Sequence, residues 1–135
     1  MATDFDTFFK RLVLQLLKRK VKSLTDARLE IFSQGDVLNL KINGDIDHHS
    51  VKRIREDIDR KISSFMPSCV YFDLSCVDFM DSSGLGLILG RYALTKDIGA
   101  RLVLLNPSKR IKKILALAGI ERIIDIEGDD KNEAC

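Results

Sequence analysis

Apolar positions recur along this chain with two different periods, and the alternation between them lays out the elements. Phe5, Phe8, Phe9, Leu12, Val13, Leu16, Leu17 and Val21 fall on i, i+3, i+4, i+7 spacing and predict an amphipathic helix over the first 22 residues. Thr3 is placed to cap it, with Asp4 and Asp6 near its positive end and lysines near its negative end. Residues 28–33 and 36–42 predict two strands around the turn Gln34-Gly35-Asp36, and Leu24-Thr25-Asp26 connects them to the first helix. After the turn Asn43-Gly44-Asp45 a helix is expected to start near Asp47. It carries Val51, Ile54, Ile58, Ile62 and Phe65 on one face and ends before Pro67.

Val70–Leu74 and Arg101–Leu105 are short, nearly continuous apolar runs of the kind buried in a parallel sheet. Between them a helix Ser83–Asp97 is expected, with Leu85, Ile88, Leu89 and Tyr92 inward, Gly86 and Gly90 allowing close approach to the sheet, and Gly99 closing it. Asn106-Pro107 is expected to open the last helix as cap and first residue. That helix carries Ile111, Ile114, Leu115 and Ala118 and ends at Gly119, with Ile120–Ile126 as a short final strand or extended piece. Strand–helix–strand–helix order after residue 44 implies right-handed parallel crossovers. The expected fold is α/β: a mixed sheet with an antiparallel hairpin at one side. The expected organisation is an N-terminal extension over 1–26, one domain over 27–127 and an acidic tail over 128–135.

The 135 residues suffice for one domain with a core, and 45% hydrophobic with 31% charged residues is ordinary for a globular protein. Charge is uneven. Residues 1–24 hold Lys10, Arg11, Lys18, Arg19, Lys20 and Lys22 against Asp4 and Asp6, so the rest of the chain is slightly negative. That argues against nucleic acid as a partner of the domain. Cys69, Cys76 and Cys135 are too few and too scattered for a disulfide framework, and the expectation is free thiols in a cytoplasmic protein. No apolar run reaches the 18–20 or so residues that span a bilayer.

The chemistry concentrates in Asp73-Leu74-Ser75-Cys76-Val77-Asp78-Phe79-Met80-Asp81-Ser82-Ser83-Gly84-Leu85-Gly86, where a buried strand passes through a polar turn into a helix. Hydroxyls at a helix N-terminus meet unpaired N–H groups and partial positive potential. This suits a capping serine, a nucleophile or a phosphate acceptor. The nucleophile elbow Gly-x-Ser-x-Gly fails, because Asp81 stands two before Ser83, and His48 and His49 lack a plausible carboxylate partner. Gly84-x-Gly86-x-x-x-Gly90 has neither dinucleotide spacing nor a following ribose acid, and Gly90 precedes Arg91-Tyr92 rather than a phosphate-loop lysine. Asp45, Asp47, His48 and His49 crowd one short segment without a ligand from another element, so no metal or cofactor is expected. Capping and phosphate acceptance remain open on the residues alone.

The same stretch resembles the signature of the STAS domain, and in particular of bacterial anti-sigma factor antagonists of the sporulation SpoIIAA type. Gly44-Asp45-Ile46-Asp47-His48-His49 resembles that family's strand-to-helix loop, and Leu89-Gly90-Arg91-Tyr92 a segment of its second helix; the likeness runs from about residue 28 to 127. The resemblance implies a single STAS-type domain with helices mainly on one sheet face. It also implies a non-enzymatic switch, in which Ser83 accepts phosphate from an anti-sigma factor serine kinase carrying ATP. The unphosphorylated form would bind that kinase and free sigma factor for transcription, and a serine phosphatase would reset the phosphorylated form. Asp47 matches an acidic loop residue near the serine, and Asp81, Ser82, Ser83, Gly84, Leu85 and Arg91 complete the implied partner surface. The alternative is a scaffold STAS domain in a larger signalling assembly. The N-terminal helix departs from the compact antagonists. Docking on the sheet face or a helix groove is its favoured role, with membrane contact through residues 1–22 less favoured and self-association or a partner contact the third alternative.

Overall fold

In the computed structural model, which describes residues 7–14 and 27–128, residues 7–14 form helix α1. The strands β1 (Arg28–Gln34) and β2 (Val37–Asn43) follow, then α2 (Val51–Phe65), β3 (Cys69–Cys76), α3 (Ser82–Asp97), β4 (Arg101–Leu105), α4 (Lys109–Leu117), a 3-10 turn Ile120–Arg122 and β5 (Asp125–Glu127). Thr3, Phe5, Leu16, Leu17, Val21, the 24–26 connection and the tail beyond Gly128 lie outside the described residues.

The sheet runs in chain order, β1-β2-β3-β4-β5. β1 is antiparallel to β2 across the two-residue turn Gly35-Asp36, and the three later pairings are parallel. Strands added one after another in one direction, each through a right-handed crossover, place their helices on one face. Leu38, Leu40 and Ile42 of β2, Val70, Phe72 and Leu74 of β3, and Leu102 and Leu104 of β4 are buried in one core. Ile54, Ile58 and Ile62 of α2 and Ile111 and Leu115 of α4 pack into it. Full burial of one such aliphatic side chain contributes about 2 kcal/mol.

The helices depart from expectation at three places. In α3 the buried residues are Gly84, Leu87, Ile88, Arg91 and Thr95, whereas Leu89 is 40% exposed. The inward face is therefore turned from Leu89 towards Leu87. An added Cβ at Gly86 or Gly90 would meet nothing within 4 Å, so neither glycine serves close packing. Finally, α4 starts at Lys109, not at Pro107. Asn106 takes a left-handed φ of 52° and its N–H donates to the Glu127 carbonyl, and Ser108 caps the helix by accepting from the Ile111 N–H at 3.2 Å. The final strand also shortens, because Gly119 at φ 73° opens the 3-10 turn ahead of β5.

Cys69 keeps a free thiol, which burial pushes above its ordinary pKa.

Candidate functional site

Two loops leave the same end of the sheet side by side, one after β2 and one after β3. They are joined by backbone bonds: the Gly44 N–H donates to the Cys76 carbonyl at 3.0 Å, the Ile46 N–H to the Phe79 carbonyl at 3.0 Å, and the Asp81 N–H to the Ile46 carbonyl at 3.2 Å. Ile46 and Met80 pair as an isolated parallel bridge, and both are buried. This stitch continues the parallel sheet for one step past the strand ends.

The serine turn rests on that stitch. Asp81 is extended (φ −95°, ψ −168°) and caps α3 by accepting from the Ser83 N–H at 2.9 Å. The Ser83 hydroxyl donates to the same carboxylate oxygen. These bonds hold the Asp81 carboxyl below its ordinary pKa, the Ser83 hydroxyl foremost, with the Ser83 and Gly84 N–H groups and nearby His48 adding to it against burial. Gly84 is demanded by space: a Cβ there would lie 2.7 Å from Met80 Cβ and 3.2 Å from Ile46 Cγ2. Ser82 is exposed and Ser83 half-buried.

Asp47 belongs to the neighbouring loop and turns its carboxylate inward on its own backbone. Its Oδ1 accepts from the His49 N–H at 3.0 Å and the Ser50 N–H at 3.1 Å, so it caps the turn that leads into α2, close to the expected helix start. Asp45 is pushed above the ordinary carboxylate pKa by burial first and then by Asp78 and Asp47, against the Phe79 N–H and Arg110 of α4. The surface around Ser83 is thus acidic, with His48 and Arg110 at its margin.

The structure therefore brings Asp47, Asp81, Ser82, Ser83 and Gly84 to one end of the sheet. Leu85 is half-buried and packs against the core. Arg91 stands apart, two turns along α3. Its side chain is 8% exposed and its Nε lies 2.8 Å from Asp59 Oδ1 of α2, out of line for a directed hydrogen bond. Sequence reasoning passed over Phe79, an aromatic 46% exposed beside the turn. Its signal was position: a large apolar residue between Asp78 and Asp81, beyond the end of the strand alternation. A hollow of about 440 Å³ lies elsewhere, lined by Lys112, Glu121, Ile124, Asp125, Ile126 and Gly128. Among the described residues no group of three or more side chains is arranged to hold a metal ion.

A mixed sheet with this connectivity and an acid-capped serine turn at its end define the class, and the comparison with known sequences agrees. Residues 28–131 match the STAS domain family, and the chain belongs to it. It is 34% identical to the anti-sigma F factor antagonist of Lysinibacillus sphaericus over 93 residues, covering 69% of this chain and 79% of that one. Identity to the anti-sigma-B factor antagonist of Bacillus subtilis is 32% over 91 residues, covering 66% and 80%. The anti-sigma factor antagonist SpoIIAA in its unphosphorylated form superimposes with a TM-score of 0.63 at 27% identity, over 79% of this chain and 94% of that one. The Bacillus cell fate determinant SpoIIAA in its phosphorylated form gives 0.61 at 27% identity, over 76% and 94%.

Proposed function

We propose that this chain is an anti-sigma factor antagonist whose partner binding is switched by phosphorylation at Ser83. The observation that carries the reading is the Asp81–Ser83 pair at the start of α3. A hydroxyl is held half-exposed, its proton directed to a fixed carboxylate, on a turn whose backing at Gly84 admits no side chain. The relatives' names and the SpoIIAA structures in two phosphorylation states support it.

Unmodified, the surface offers a neutral hydroxyl, the exposed Phe79 and several carboxylates, which fits a partner with an apolar pocket and basic rim. The partner in this reading is an anti-sigma factor that is itself a serine kinase carrying ATP. The Ser83 oxygen attacks the γ-phosphorus, the bond to the ADP oxygen breaks, and the hydroxyl proton passes to a base of the kinase and on to solvent. Asp81 orients that hydroxyl. Its low pKa makes it a weak base, so its role is positioning. The phosphoserine carries roughly −1.5 to −2 charges among Asp45, Asp47, Asp78 and Asp81, and has lost the proton that Asp81 accepted. Repulsion and an unpaired desolvated anion then oppose the complex, and a serine phosphatase restores it. Asp47, Ser82 and Leu85 contribute to the docking surface. Arg91 acts from beneath, joining α3 to α2.

The test is intact-mass and peptide mapping after incubation with ATP and the organism's anti-sigma kinase. One phosphate on Ser83, absent from Ser83→Ala, is expected. No phosphate, from a kinase active on another antagonist, would overturn the switch.

A further inference from the structure

Helix α4 opens with four cations in five residues, Lys109, Arg110, Lys112 and Lys113, and has no acidic residue in its first turn. Lys109 and Arg110 stand one helical turn before Lys113, so like charges share a face. All of them crowd the positive end of the helix dipole. Both placements work against the helix, which is held instead by buried Ile111 and Leu115 and by the Ser108 cap. Such a conflict with local stability is expected where a surface serves binding. Lys109, Arg110 and Lys113 are exposed and make no salt bridge with any described residue.

The patch lies beside the serine turn. β4 runs parallel to β3 with Leu105 paired to Asp73, so the chain enters α4 at the same end of the sheet from which β3 enters the turn. Burial first, then Asp78 and Asp47, raise the Asp45 pKa, while the Phe79 N–H and Arg110 work against them. Arg110 is therefore within electrostatic reach of the acidic loop. One end of the sheet carries an acidic turn and a basic patch side by side.

We propose that Lys109, Arg110 and Lys113 form a second docking point for the anti-sigma factor, engaging an acidic segment of that protein and orienting it over Ser83. The inference rests on the antagonist reading above. Charge selects this occupant. A nucleic acid or an anionic bilayer laid on α4 would also cover Asp45, Asp47, Asp78 and Asp81, and be repelled there. A folded protein can set an acidic segment against α4 and its basic rim against the turn. Turned the other way round, it would meet like charge at both points, so the two-signed surface fixes its orientation.

The experiment is stopped-flow association of the full chain with the organism's anti-sigma kinase, at low salt and in about 0.5 M salt. The triple variant Lys109→Gln/Arg110→Gln/Lys113→Gln should associate at least about tenfold more slowly at low salt, with dissociation nearly unchanged. High salt should largely abolish the difference. The variant should melt no lower than the wild type, because it removes like-charge pairs. Arg60→Gln/Lys61→Gln/Lys96→Gln removes as many charges towards the C-terminal ends of α2 and α3, away from the turn, and should leave the rate within about twofold. A wild-type rate for the α4 variant, equal slowing by both triples, or an α4 variant melting well below the wild type would each overturn the proposal. Ser83→Asp separates it from the reading beneath it. If that variant binds weakly while the α4 variant associates normally, the switch stands and the second docking point falls. If the wild type does not bind the kinase, both fall.

Discussion

At Ser83 one carboxylate oxygen serves two donors, the backbone N–H and the side-chain hydroxyl, and the proposed phosphorylation would remove one of them. Truncation to Ser83→Ala also removes it, but adds no charge. We expect Ser83→Ala to bind the anti-sigma factor like the wild type yet resist switching off. Ser83→Asp should bind at least about tenfold more weakly, because a fixed anion meets Asp81 and the partner face. Calorimetric titration separates them, and equal affinities would refute the electrostatic part. The same bond sets a pH response. A carboxyl with a lowered folded-state pKa adds stability that is present above its unfolded value and lost as pH falls through the folded one. Removing the hydroxyl raises the Asp81 pKa, so Ser83→Ala should lose less stability than the wild type on acidification below about pH 4. Asp45 has the opposite sign, since its raised pKa means that acid relieves a cost. Its contribution is common to both proteins and cancels in the difference. Carboxyl carbon NMR titration of Asp81 reads the shift directly.

At the scale of elements, the glycines of α3 divide sharply. Gly84 faces Met80 and Ile46 with no room for a methyl group, and Gly84→Ala should cost about 1–3 kcal/mol in urea unfolding and distort the turn. Gly86→Ala and Gly90→Ala face open space within a helix and should each stabilise by about 0.5–1 kcal/mol. From the sequence, Gly86 and Gly90 are the glycines expected to pack closely, and Gly84 only part of the serine turn. What separates them is the loop 44–47 lying against Met80, a long-range contact that no local pattern records. Strands and helix spans followed from periodicity because each is a local consequence of burying one face. The misplaced Leu89 comes from the same limit: α3 is apolar on most sides, so the period alone could not choose its inner face. The motif likewise placed Ser83, Asp81 and Asp47 at one end of the sheet, but it grouped Arg91 with them. Arg91 is buried against Asp59, and Arg91→Ala should destabilise by about 1–3 kcal/mol while leaving the affinity of the folded protein for its partner unchanged.

For the whole molecule, the proposed switch is confined to one end of the sheet while the core lies beneath and beyond it. The 44–47 and 76–81 loops are bonded to each other above the strand ends, and the Ser83 hydroxyl's bond is made within its own turn, to Asp81. A charge added at Ser83 therefore strains the cap and the stitch rather than the sheet, whose close-packed interior resists graded deformation. The expected outcome for the phosphorylated chain is backbone NMR shift change concentrated at residues 44–50 and 76–86, with little in α4 or β5. Its melting temperature should stay within about 5 °C of the unmodified protein, which corresponds to roughly 1 kcal/mol in a domain of this size. Shift changes spread through β4 and α4, or a much larger fall in melting temperature, would mean that phosphate acts by loosening the domain. Loss of partner binding would then follow from the unfolding of the docking surface, and Ser83→Asp should lose affinity in proportion to its loss of stability.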